Sequence, residues 1–262
     1  MTTTDSVLDH HEGAGPAPVV SLREATKVYG SGSSAVLALD RVSLDVRRGE
    51  FLCIVGASGC GKSTLLSLVA GLDDATDGTV SVRGRTAFMF QEAALLPWRS
   101  AVQNVELALR LRGVPRHQRR AKAMEFLSVV RLADFADKAP HELSGGMRQR
   151  VSLARALAQD AEILLMDEPF GALDAITRDI LHDEIEKVAQ ERGLTVMLVT
   201  HNVREASRLG DRIVLLSSRP GRVAAEFDVA IQRPRRMESP EVTQLAGRVT
   251  VGLREEVRRH AH

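Results

Sequence analysis

At 262 residues, with 44% hydrophobic and 26% charged residues, the chain is large enough for one sizeable core with an embedded subdomain and has the composition of a globular protein in water. Lysine plus arginine (35) balance aspartate plus glutamate (34), and the net charge of +1 argues for no particular polyanionic partner, and no nucleic acid is expected as one. No apolar run approaches a membrane span, Met1-Thr2-Thr3-Thr4-Asp5 lacks the basic and apolar parts of a signal peptide, and Cys53 and Cys60 read as reduced thiols rather than a disulfide framework.

In chain order, residues 1–18 are polar and carry Gly13, Gly15, Pro16 and Pro18. They are expected to be a disordered tail, in which His10-His11 is solvated rather than metal-bound. A first strand is expected over Val20-Ser21-Leu22-Arg23 and Ala25 to Tyr29, then a turn at 30–34. A half-buried strand follows, where Val42, Leu44 and Val46 alternate with Ser43 and Asp45. Arg48-Gly49-Glu50 turns the chain into Phe51-Leu52-Cys53-Ile54-Val55, an apolar run of the buried-strand type. This opening reads as a small antiparallel sheet beside a phosphate-loop core.

Next comes Gly56-Ala57-Ser58-Gly59-Cys60-Gly61-Lys62-Ser63-Thr64, the pattern G-x-x-x-x-G-K-[ST] of nucleoside triphosphatases. The glycines let backbone N–H groups point inward at phosphate oxygens. Lys62 brings a charge to the β- and γ-phosphates, and Ser63 offers a hydroxyl to Mg²⁺. Leu65, Leu66, Leu68, Val69 and Ala70 recur as on a helix whose N-terminus faces the phosphates. The Cys60 side chain is expected close to bound phosphates and within reach of thiol reagents.

Two strands follow at Thr79 to Val82 and Thr86 to Phe90, then Gln91 and Leu95-Leu96-Pro97-Trp98. From Ala101 to about Ser128 the pattern is helical, broken by Pro115, as in an inserted helical subdomain over about 92–158. Leu143-Ser144-Gly145-Gly146 opens a helix and makes a second anion site. Ile163-Leu164-Leu165-Met166-Asp167-Glu168 is a buried strand that delivers two acids at its C-terminal end, where parallel sheets place ligands. Asp167 would reach the metal and Glu168 would polarise a water. Gly171-Ala172-Leu173-Asp174 leads into a helix from about Ile176 to Gln190, and a strand from Leu194 to Val199 ends at Thr200-His201. A closing hairpin is expected around Ser218-Arg219-Pro220-Gly221. Arg233-Pro234-Arg235-Arg236 follows as a basic linker, and then comes an amphipathic helix over Glu241 to Val257 that packs on its own domain.

This ordered set resembles the ATP-binding cassette (ABC) ATPases over about residues 19–232, with 233–262 as linker and terminal helix. Residues 56–64 match the first nucleotide motif, Gln91 the Q-loop, Leu143 to Gly146 the family signature, and Ile163 to Asp167 the second nucleotide motif with its acid Glu168. Ala172-Leu173-Asp174 matches the D-loop and His201 the H-loop. Tyr29 stands where the family places an aromatic under adenine. Met147 and Gly171 depart from the commonest pattern and touch the control of hydrolysis rather than ATP binding. With Leu95 to Trp98 and Ser218 to Gly221, they resemble the importer ATPases for nitrate, aliphatic sulfonates and taurine.

The resemblance implies an α/β phosphate-loop core with a small antiparallel subdomain and an inserted helical subdomain. It implies MgATP held by residues 56–64 of one chain and Ser144, Gly145 and Gly146 of a second, identical ATPase chain in a head-to-tail dimer, with Asp174 at the junction. Ser63, Gln91 and Asp167 would arrange the metal, Glu168 would act as general base, and His201 would hold the γ-phosphate. It further implies permease subunits in the membrane, an extracytoplasmic solute-binding protein, and a peripheral place on the cytoplasmic face. Other ABC systems, exporters among them, and soluble ABC ATPases outside transport are the alternatives.

Overall fold

The computed structural model describes residues 17–259. Of the tail expected over 1–18, residues 1–16 lie outside the described residues, and His10-His11 with them. β1 (Val20–Tyr29) and β2 (Val36–Val46) lead into β3 (Phe51–Val55) and α1 (Lys62–Val69). β4 (Asp77–Val82) and β5 (Thr86–Met89) precede α2 (Ala101–Leu111), α3 (Arg116–Val129) and α4 (Gly145–Leu157). β6 (Ile163–Asp167), α5 (Ala175–Arg192), β7 (Thr195–Val199), α6 (Val203–Leu209), β8 (Arg212–Leu216), β9 (Val223–Asp228) and α7 (Pro240–Arg259) complete the chain.

The strands form two sheets. An antiparallel one has the order β2-β1-β4, with Leu22 opposite Leu44 on one side and Val80 on the other. The larger sheet has the order β5-β6-β7-β3-β8-β9, parallel throughout except for the closing β8–β9 hairpin. The predicted mixed α/β architecture is present.

Strand periodicity divides the interior into two layers, because successive side chains point to opposite faces. Leu52, Ile54, Ile163, Leu165, Met197 and Val199 face α1 and the antiparallel sheet. Cys53, Val55, Leu164, Met166, Val196 and Leu198 face the other helices. With both faces covered, β3, β6 and β7 are buried at every residue, which is why they are continuous apolar runs rather than alternating ones.

Local chemistry sets the helix ends. Ser100 and Gln103 form a capping box at α2, Ser144 accepts from the Met147 N–H at 3.2 Å at the start of α4, and Asp174 accepts from the Thr177 N–H at 2.9 Å at the start of α5. α6 was not anticipated. It is seven residues long and capped by Asn202, whose side chain accepts from the N–H groups of Arg204 and Glu205. It is bound to α5 by a buried relay in which His182 meets Glu205 at 2.9 Å and Arg208 at 2.9 Å.

α7 buries Val242, Leu245, Ala246 and Val249 against α6, β8 and β9, so it packs on its own domain as its periodicity predicts. Its apolar stripe fades at Val257, which is exposed. The basic linker is an anchor rather than a free spacer. Arg235 is buried and donates to the Ile231 carbonyl at 2.7 Å, and Arg233 pairs with Asp211 at 2.8 Å and with Glu186.

Candidate functional site

Three neighbouring strands of the parallel sheet, β6, β7 and β3, end on one edge, and each hands its next residues to the same cavity. β3 delivers the loop of residues 56–61, β6 delivers Glu168 and β7 delivers His201. The cavity measures about 570 Å³ and is lined by Tyr29, Ser58, Gly59, Gly61, Lys62, Ser63, Thr64, Gln91, Glu168 and His201. Ten residues singled out from sequence, spread from position 29 to 201, therefore converge.

The loop needs its last glycine. Gly61 has φ +100°, and a Cβ there would stand 2.7 Å from the Ala38 carbonyl oxygen, so a side chain meets both a steric wall and a forbidden backbone angle. Lys62 follows as the first residue of α1. Its ammonium is nearly buried and donates to the carbonyls of Gly56 at 3.0 Å and Ala57 at 2.9 Å. No side chain caps α1, so the first-turn amides keep their donors for an anion in the cavity.

The two acids differ in setting. Asp167 is 6% exposed, and its burial pushes the carboxyl above its ordinary value, while the Ser63 hydroxyl, a hydrogen-bond partner, pulls it back. Glu168 is half-buried and reaches His201 Nδ1 through Oε2 at 3.2 Å. Its φ of +46° is a left-handed conformation that costs a non-glycine residue about 1–3 kcal/mol. The surrounding strands hold it there: the Glu168 N–H donates to the Val199 carbonyl at 2.9 Å.

Tyr29 is oriented at the rim. Its hydroxyl donates to Asp73 at 2.8 Å, and the Lys27 ammonium lies 5.0 Å from the ring centroid. Burial is the main reason its phenol is raised above the usual range, and the Asp73 bond adds to it. The loop after Gln91 is tied to α4: Gln149 donates to the Gln91 carbonyl, and Arg155 donates to those of Ala93 at 2.9 Å and Ala94 at 2.7 Å.

Ser144, Gly145, Gly146 and Asp174 do not line this cavity. Ser144 and Asp174 act here as helix caps, and the Thr177 N–H holds the Asp174 carboxyl below the usual range. Gly56 and Ala57 turn their carbonyls to Lys62 rather than to the cavity. The expected reach of thiol reagents to Cys60 is contradicted: its thiol is 1% exposed, packs in the core with Leu39 and Leu65, and is raised by burial, although its Sγ stays 3.9 Å from the Lys62 ammonium. The sequence reading missed Val36, Ala38 and Arg219, which also line the cavity. It also missed Asn104, which is fully buried and accepts from the Leu96 N–H at 2.8 Å, steadying the segment that carries Trp98.

Among the described residues no helix is long and apolar enough to cross a membrane. The ABC transporter family model matches residues 39–171. The taurine import ATP-binding protein TauB of Rhizobium johnstonii is 44% identical over 236 residues, covering 87% of this chain and 90% of its own. The aliphatic sulfonates import ATP-binding protein SsuB 1 of Mesorhizobium japonicum is 47% identical over 220 residues, covering 81% and 82%. The solved ATP-binding cassette MJ0796, in a dimeric post-hydrolysis state bound to ADP and Pi, superposes with a TM-score of 0.75 at 36% identity and covers 81% of this chain and 100% of its own.

Proposed function

The chain belongs to the ABC transporter family of ATP-binding proteins, and on that premise we propose how its residues divide the work of an importer ATPase. Residues 56–64 cradle the phosphates of ATP, Lys62 meets the β- and γ-phosphates, and the Tyr29 ring stacks on adenine. Glu168 takes the proton of the attacking water. His201, held by Glu168, faces the γ-phosphate. The chemistry is positioning plus electrostatics. The observation that carries the reading is the Glu168–His201 contact of 3.2 Å on the rim of a cavity floored by the phosphate loop.

Magnesium suits the donor set. Ser63 offers a hydroxyl, Asp167 a carboxylate and Gln91 an amide oxygen, all hard ligands. The desolvation that lifts the Asp167 carboxyl is a penalty that a divalent cation relieves. When bound, it neutralises charge on the phosphate oxygens.

Ser144, Gly145 and Gly146 lie outside the cavity, and in this reading they close the ATP of a second, identical chain, with Asp174 at the same junction. The dimer works on permease subunits at the cytoplasmic face, fed by an extracytoplasmic solute-binding protein. Trp98, which is 75% exposed, meets the permease. The relatives' names support a small sulfonate-bearing solute, an aliphatic sulfonate or taurine.

Glu168→Gln tests the assignment. It keeps ATP binding and loses about 10²- to 10⁴-fold in hydrolysis, because the amide cannot accept the proton. Single-turnover hydrolysis beside equilibrium ATP binding measures both, and near-normal turnover by the purified variant would exclude Glu168 as the base.

A further inference from the structure

The turn between β8 and β9 is built against the phosphate loop. Ser217 Oγ donates to the Pro220 carbonyl at 2.8 Å and accepts from the Arg222 N–H at 2.9 Å. The Gly221 N–H donates to the Ala38 carbonyl at 2.9 Å, and the Asp40 N–H to the Gly221 carbonyl at 3.0 Å. Arg222 pairs with Asp40. A Cβ on Gly221 would stand 2.2 Å from the Cys60 carbonyl oxygen, so turn and loop touch backbone to backbone. A surface turn with no task has little need of so close a mount.

One side chain of this turn is not used in holding it. Arg219 is exposed and lines the cavity, with Nε donating to the Gly59 carbonyl at 3.3 Å. Among the described residues no carboxylate pairs with it. The other arginine of the turn, Arg222, is paired with Asp40. A guanidinium carries five donors, and the Gly59 bond uses one. The rest stand beside the loop whose amides face phosphate. An ADP or ATP polyphosphate carries more negative charge than Lys62 alone offsets, and the planar fork of arginine suits two phosphate oxygens at once.

We propose that Arg219 is a nucleotide-binding residue, a second cation that grips the phosphates of bound ADP or ATP from the β8–β9 turn. The inference rests on the reading of the cavity as the ATP site and adds to it a residue from outside the nucleotide motifs.

The test is equilibrium binding of ATP and of ADP to the wild type, Arg219→Ala, Arg219→Lys and Lys62→Ala at protein concentrations where the chain is monomeric, beside thermal melting without nucleotide. Arg219→Ala weakens both nucleotides about tenfold, the range of a hydrogen bond to a charged group. Arg219→Lys recovers part of the loss, and both melt as the wild type does. Unchanged ATP and ADP affinity in Arg219→Ala, with Lys62→Ala impaired, overturns the inference and leaves the ATP site standing. Unchanged monomer affinity with loss only of ATP-dependent dimerisation makes Arg219 a contact to a second copy and also overturns it. Full affinity in Lys62→Ala as well removes the reading of the cavity itself.

Discussion

Asp167 and Glu168 are neighbours in sequence with opposite environments. Burial is the larger influence on Asp167 and raises its carboxyl above the ordinary value of 3.8. A carboxyl raised on folding binds more protons folded than unfolded, so stability falls as pH rises between the two values and the penalty is full above both. Asp167→Asn therefore melts higher than the wild type at neutral pH without nucleotide. The difference closes below pH 4, and Mg-dependent hydrolysis is lost. Melting curves across pH check it, and a variant that melts lower at pH 7 contradicts the cause assigned to Asp167. The identity of these acids was legible in the sequence because a buried strand must end in a particular place. The direction of Cys60 was not. The pattern G-x-x-x-x-G-K-[ST] constrains backbone, and the side chain at an x position goes wherever the core has room, here beside Leu39 and Leu65. Arg219 was hidden for a related reason: it reaches Gly59 across 160 residues through a turn, a distance that no local pattern encodes.

At the scale of elements, the long apolar runs and the capped helices could be read directly. α6 was not, because seven residues offer too little periodicity, although Asn202 and Glu205 carry its N-terminal signal. The segment between Gln91 and α2 shows how tertiary contacts complete what the sequence leaves open. Arg155 and Gln149 of α4 hold its start and Asn104 of α2 holds its end, so a shift at Gln91 moves against the helix that begins with the signature residues. Leu95 packs against the core while Trp98 stays 75% exposed. A tryptophan in a loop is usually buried for its area, and this one is displayed on a fixed support. Trp98→Ala costs the isolated chain no more than about 0.5 kcal/mol, leaves ATP binding intact, and reduces co-purification with the permease subunits and transport. A large drop in melting temperature with undiminished permease association contradicts this role.

On the scale of the whole molecule, the two proposed anion sites of the chain do not share a cavity. One is the cavity on the edge of β3, β6 and β7. The other is the start of α4, capped by Ser144, where Ser144, Gly145 and Gly146 do not line that cavity. In the proposed reading two chains arranged head to tail use both sites twice. That proposed division rests on resemblance, since spacing in sequence does not say whether distant motifs meet within one chain or between two. The most direct measurement is sedimentation of Glu168→Gln with ATP, alone and combined with Ser144→Arg, beside ATP binding by each and by Lys62→Ala. The account predicts an ATP-dependent dimer for Glu168→Gln and a monomer for Glu168→Gln/Ser144→Arg that still binds ATP, whereas Lys62→Ala binds ATP weakly. A dimer that survives Ser144→Arg, or an ATP affinity that falls as far with Ser144→Arg as with Lys62→Ala, contradicts a site completed by the second chain.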